Sequence, residues 1–264
     1  MISAVSSPES VAGDRIFAAI AELQAARPWG DVLDAGTGGH SLAWITGLPT
    51  RRWAAVTLGE QVAAGLRREL GARLRPQDRV LVGDWRDEGL LAGERFDLVL
   101  CDYLLGAVEG AAPFFQERLF ARLRRHVAPG GRLVAVGLAP YPDAATCPWG
   151  RTVLAIARLR DAAITLAGER PFREHPLPWV VDRLREAGFE LEAERTFPIR
   201  YGERFVRGQL RIVRQKLPRI EDAALGRALV ASADALEASA MALLARGEAC
   251  AFGEDWLVAA RPVD

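Results

Sequence analysis

Residues 31–39 read Asp-Val-Leu-Asp-Ala-Gly-Thr-Gly-Gly, a short apolar run that stops at an acid and enters a turn of small residues. Glycine accepts φ > 0 and lets backbone approach a ligand closely, so such a turn at a strand's carboxyl end is a binding edge. Asp34, Gly36, Thr37 and Gly38 are its candidate binding residues; a glycine turn with no ligand role is the alternative. Two further apolar runs end on an acid followed by an aromatic residue, Asp84-Trp85 and Asp102-Tyr103.

The elements that must position these residues follow from periodicity. Residues 8–26 predict a leading helix, with Ile16, Ile20 and Leu23 on one stripe. Short runs rich in Val or Leu at 31–34, 53–58, 79–82, 96–101 and 131–137 predict strands covered on both faces. Helices are expected between them at about 40–47, 60–72, 86–93 and 114–127, the last closed by Pro129-Gly130-Gly131. This alternation implies a parallel sheet with right-handed crossovers. After Pro140-Tyr141-Pro142 it breaks. A helix at 149–167, one at 177–187, a strand at 189–198, two helices within 203–247 and a strand at 255–261 complete the chain. One domain is expected, with a helical cap near 141–175 and a helical insertion at about 203–250.

In order and spacing these features resemble class I S-adenosylmethionine (SAM) methyltransferases. Asp34-Ala-Gly36-Thr-Gly38 resembles the first motif of that family, although its third glycine falls where this chain has His40. The resemblance implies an α/β fold: a seven-stranded, mostly parallel Rossmann-like sheet with an antiparallel last strand. It implies SAM as cofactor and S-adenosylhomocysteine as product. The family's ribose-binding acid falls 21 residues after Gly36, where this chain has Thr57. One hydroxyl does not replace a carboxylate that accepts two hydrogen bonds. Glu60, three residues on, is the alternative acceptor, and Thr57 and Leu58 would still line the adenosine. Asp84 would accept from the adenine amino group with Trp85 packed on or beside the ring. Asp102 and Tyr103 would face the methionine portion and the reacting methyl. Val127-Ala-Pro-Gly-Gly-Arg-Leu133 resembles the structural turn before the fifth strand.

Other candidates carry two readings each. His40 touches the cofactor's carboxylate or is a first-turn helix residue bonded locally, and His126 reads as a surface residue at a helix end. His175, inside the expected cap, is the histidine placed to act as general base, with Asp102 the other weak catalytic candidate. Tyr141 lines a substrate pocket or packs under the cap. Arg204, Arg207, Arg211 and Arg214 share one helical face, which either attracts an acidic ligand or is a solvated face paired with acids.

Bulk properties narrow the function class. Lys and Arg total 34, as do Asp and Glu, which argues against nucleic acid as the main partner. Lys216 is the one lysine, so arginines here reflect a compositional habit. Cys101, Cys147 and Cys250 are widely spaced; they suggest no metal site and no disulfide framework, in keeping with a reducing cytoplasm. No signal peptide and no transmembrane helix are expected. The resulting expectation is a cytoplasmic, metal-free SAM-dependent methyltransferase that acts on an O, N or S nucleophile of a small molecule. The helix face opposite the arginine stripe, with Phe205, Ile212 and Val213, would pack on the domain or against a second subunit in a homodimer. The alternatives are an RNA, DNA or protein methyltransferase, and a SAM-fold protein that transfers no methyl, either a cyclase-type enzyme or an interaction subunit.

Overall fold

Runs of Val, Leu and Ala become strands because such side chains pack well when both faces of a sheet are covered. In the computed structural model, which describes residues 14–263, these runs form β1 (Asp31–Asp34), β2 (Arg52–Thr57), β3 (Arg79–Val82), β4 (Phe96–Asp102) and β5 (Val127–Leu138). β1 pairs in parallel with β2 and β4, β2 with β3, and β4 with β5. With β6 (Phe189–Pro198) and β7 (Glu254–Pro262) they make a seven-stranded sheet in the order β3-β2-β1-β4-β5-β7-β6. β7 runs against its neighbours. Val263 N–H donates to Gly188 O beside the start of β6, and Ile199 N–H, past its end, donates to Gly253 O. Ala139 N–H, just after β5, donates to Glu254 O at the start of β7. This is the expected fold class.

The described residues divide into two compact units. The first holds the chain up to Leu138 together with Glu174–Phe197 and Trp256 onward. Its helices are α1 (Arg15–Gln24), α2 (Gly39–Ile45), α3 (Glu60–Leu70), α4 (Leu104–Ala107), α5 (Gln116–Arg124) and, beyond the second unit's first segment, α7 (Leu177–Glu186). Phe17 and Ile20 of α1, Leu42 and Ile45 of α2 and Leu66 of α3 join Val32, Leu98, Leu100, Val134 and Val136 in one core. The alternate residues Leu33, Val99 and Leu133 are equally buried, so the sheet is covered on both faces. Each such aliphatic side chain contributes about 1.5–3 kcal/mol on burial, and that fixes the strand ends the site depends on. Asp14 caps α1, accepting from Ile16 N–H at 2.8 Å. Residues 8–13 of the expected leading helix lie outside the described residues.

The second unit comprises Ala139–Arg173 and Pro198–Asp255. Its helices α6 (Pro148–Leu166), α8 (Glu203–Lys216) and α9 (Ala223–Ala245) pack Trp149, Val153, Ile156, Val206, Leu210, Val213, Leu229 and Leu243 into a separate core. By length and composition α9 is apolar enough to cross a bilayer, with a mean hydropathy of 1.5. Its Leu229, Ala233, Ala240 and Leu243 are buried in this core.

Three local expectations are corrected. No helix forms at 86–93, because Asp84 and Asp87 turn the chain instead: Arg86 N–H donates to Asp84 Oδ1 at 2.9 Å and Gly89 N–H to Asp87 Oδ1 at 2.8 Å. Such side-chain acceptors compete with the helical ladder, and Leu91, with φ 55, is incompatible with a helix. The helix at 114–127 is shorter, Gln116–Arg124, and Pro129-Gly130-Gly131 bulges β5 rather than ending the helix. Gly130 has φ 74, and a Cβ on Gly131 would lie 3.0 Å from the Phe96 and Asp97 carbonyl oxygens. His126 is buried, not at the surface. Its Nδ1 lies 3.0 Å from Glu94 O and its Nε2 meets the Arg122 guanidinium. Burial, above all, lowers its pKa and keeps it neutral.

Candidate functional site

The carboxyl ends of β1 to β4 form one continuous edge. Ala35 N–H donates to Leu100 O, Thr37 N–H to Val56 O, Gly83 N–H to Thr57 O and Tyr103 N–H to Val136 O, at 2.8–3.0 Å. These bonds hold Asp34, Gly36, Thr37, Gly38, Thr57, Leu58, Asp84, Asp102 and Tyr103 on a shared rim.

Two acids of β1 meet opposite electrostatic fates. Asp31, at the amino end, accepts from Arg51 Nε at 2.6 Å and Arg52 Nε at 2.8 Å. Partial burial pushes its pKa up, but these arginines bring it below the ordinary carboxyl value. Asp34, at the carboxyl end, is 1% exposed and has no cationic partner among the described residues: Ser41 Oγ donates to its Oδ2 at 2.8 Å. Oδ1 has no hydrogen bond of normal geometry, although the Thr37 hydroxyl and the Gly36 N–H lie close enough to favour the charged form. Burial wins, and the carboxyl is pushed up to about 6.

The two turn glycines differ in what they face. A Cβ on Gly36 would strike Leu104 at 2.7 Å, whereas a Cβ on Gly38 would meet nothing within 4 Å. Gly36 is required for packing, and Gly38 leaves its side of the turn open. Ser41 completes the turn by accepting from Gly38 N–H at 3.3 Å while donating to Asp34. Sequence reasoning missed Ser41, although its place three residues into a helix after a cap is a readable signal.

The other rim residues divide by what they touch. Leu58 and Val82, at the ends of β2 and β3, are 55% and 41% exposed, apolar surface at the sheet edge. Val82 carried no sequence signal. Asp84 receives Arg86 through Nε at 3.0 Å and Nη2 at 2.6 Å, and that pairing holds its pKa below the usual carboxyl value. Trp85 is 5% exposed and donates its Nε1–H to Ala35 O at 2.6 Å, so its indole supports the glycine turn from beneath. Glu60 accepts from Arg67 at 2.9 Å. Tyr103 adopts the left-handed region, φ 48 and ψ 14, at the end of β4. Backbone strain of this kind in a non-glycine residue concentrates at functional edges. Cys101 is buried between two of the acids: burial, then the charges of Asp34 and Asp102, push its thiol up.

The histidines and Tyr141 lie elsewhere. His40 Nε2 lies 2.9 Å from Asp14 Oδ2 and its ring packs 5.2 Å from Phe17, which joins the start of α2 to the cap of α1. This partner is 26 positions away, so the bond is not local. His175 belongs to the first unit, stacked on Trp179 at 4.0 Å, with its carbonyl accepting from Trp256 Nε1 at 3.1 Å. Tyr141 belongs to the second unit, where its hydroxyl meets that of Tyr201 at 2.5 Å and its ring stacks on Phe252. Of the four stripe arginines, Arg207 pairs with Glu203 and Glu237, and Arg214 with Asp234 and Glu237.

No family model and no curated protein matches the sequence. Solved structures do. A candidate methyltransferase of Bacillus halodurans C-125 aligns at TM-score 0.60 and 19% identity, covering 93% of this chain and 98% of its own. The [4+2]-cyclase SpnF aligns at TM-score 0.56 and 18% identity, covering 99% of this chain and 85% of its own. A SAM-dependent methyltransferase from Thiobacillus denitrificans, in complex with S-adenosylhomocysteine, aligns at TM-score 0.53 and 16% identity, over 93% and 90%. The chain has the class I methyltransferase fold. In this methyltransferase fold the open rim lies at the carboxyl ends of parallel strands, where α/β sheets bind ligands.

Proposed function

We propose that this protein is a SAM-dependent methyltransferase acting on a small molecule. The observation that carries the reading is Asp34, a buried carboxyl with an unsatisfied oxygen beside a glycine turn that is open on one side. A buried carboxylate is stabilised by a cation, and the α-ammonium of SAM is one. Asp34 would hold that ammonium, Gly38 would admit the methionine portion, and Leu58 and Val82 offer an apolar bed for the adenosine. Asp84 would accept from the adenine amino group while it shares Arg86, and Trp85 keeps the turn in place from below. Thr57 leaves the ribose with a weaker anchor than a carboxylate would provide.

When bound, SAM supplies a sulfonium that makes its methyl group electrophilic. The chain's own task is then to align the acceptor in line with that methyl and exclude water. Positioning of this kind is worth on the order of 7–11 kcal/mol. Asp102 and Tyr103 would face the reacting methyl, and His175 is the candidate base for an acceptor that must lose a proton. A small-molecule acceptor is favoured by the balanced charge and by the ion pairing of Arg207 and Arg214. The test is incubation of the full chain with methyl-labelled SAM and small-molecule extract. Products about 14 Da heavier that carry the label would support the reading; their absence, with SAM bound, would oppose it.

A second reading, a SAM-fold cyclase, is favoured by Thr57 in place of the ribose acid and by the similarity to a [4+2]-cyclase. It is distinguished by substrate conversion in which bound SAM is not consumed.

A further inference from the structure

We propose that Cys147 and Cys250 form a reversible intrachain disulfide, a redox latch inside the second unit. The two residues are 103 positions apart, yet their Sγ atoms lie 3.0 Å from each other, about 1 Å beyond the length of a disulfide bond. Both are half-buried, so an oxidant can reach them. Cys147 is the N-cap of the 19-residue helix α6, and Gly150 N–H donates to its sulfur at 3.3 Å. The unpaired N–H groups of a helix start favour a thiolate. The Cys250 thiol, first, and Gly150 N–H, second, hold Cys147 below the ordinary thiol value, while its partner is pushed up. Cys147 is therefore the attacking sulfur and Cys250 the resolving one. Cys101, buried in β4, takes no part.

The oxidant is hydrogen peroxide. The Cys147 thiolate attacks the O–O bond; the S–O bond forms, the O–O bond breaks and the departing hydroxide takes a proton to leave as water. The Cys250 sulfur then attacks the Cys147 sulfenic acid, forms the S–S bond and gives its proton to the hydroxyl that leaves as a second water. Two thiols lose two electrons and the peroxide gains them; a dithiol reductant reverses the change. The bond would fix the first turn of α6 to the segment that enters β7. Phe252 in that segment already fills the space beside Gly150, where a Cβ would meet its ring at 2.7 Å, and stacks on Tyr141 at 5.8 Å. This inference does not rest on methyl transfer.

The test treats the folded, reduced full chain with dilute hydrogen peroxide, alkylates the remaining thiols after denaturation, and maps peptides by mass spectrometry. A loss of about 2 Da, two hydrogens, is expected, with a linked Cys147–Cys250 peptide and Cys101 alkylated, reversed by dithiothreitol. C101S should behave identically. C250S should instead accumulate a sulfenic acid at Cys147 that dimedone traps. Oxidation of Cys147 to the sulfinic acid while Cys250 stays alkylatable would overturn the proposal. So would a bond to Cys101 or one between two chains.

Discussion

Replacing Asp34 by asparagine tests the physics of the rim without reference to any substrate. Burial raises the Asp34 carboxyl from the ordinary 3.8 to about 6. A folded pKa above the unfolded one means that the group supports folding fully below the unfolded value. That support is lost as pH rises through the folded value. At 1.36 kcal/mol per pH unit, the interval from 3.8 to about 6 corresponds to ~3 kcal/mol, shed mostly between pH 4 and 6. The amide of D34N has no charge to desolvate, and every other group titrates alike in both proteins. The stability of D34N minus that of wild type, from urea unfolding of the ligand-free chain, should therefore rise by about 2.4 kcal/mol from pH 4 to pH 8. With saturating SAM the wild-type carboxylate gains a cation, and the advantage of D34N should vanish or reverse. A difference that stays flat with pH would refute the claim that Asp34 is a strained, uncompensated acid.

Other perturbations separate packing from binding along the same rim. Gly36→Ala forces a Cβ against Leu104 at 2.7 Å and should lower stability by about 1–3 kcal/mol. Gly38→Ala meets nothing within 4 Å; it should unfold at the same urea concentration as wild type yet bind SAM more weakly by calorimetry, and unchanged affinity would place the ligand elsewhere. Trp85→Phe removes the donor to Ala35 O and leaves a buried carbonyl unsatisfied, a cost of about 1–3 kcal/mol read by thermal unfolding. Asp84→Ala should weaken SAM binding by roughly 1–3 kcal/mol if the adenine amino group is its partner; an affinity equal to wild type would leave Asp84 as the counter-ion of Arg86 alone.

The strands are legible in the sequence because their signal is local: aliphatic runs such as 31–34 and 96–101 form strands that are covered on both faces. The glycine turn is legible for the same reason. What sequence periodicity does not show is which partner each polar group finds across the fold. Asp84-Trp85 reads as an adenine pair, but Arg86, two residues on, already holds the carboxylate, and Ala35, fifty positions away, takes the indole N–H. His126 looks like a solvated helix end because neither Arg122 nor the Glu94 carbonyl announces that it will close over it. The 86–93 helix fails because Asp84 and Asp87 bond to nearby backbone. The cysteines look unrelated because their meeting depends on packing within the second unit, which no local pattern encodes.

Calorimetric titration of the full chain with S-adenosylhomocysteine and with SAM, at pH 5 and pH 8, addresses the central claim most directly. The account predicts one molecule bound per chain, tighter at pH 8 for SAM and its demethylated product alike, and a pH dependence lost in D34N. Absence of binding by both compounds at both pH values would contradict it.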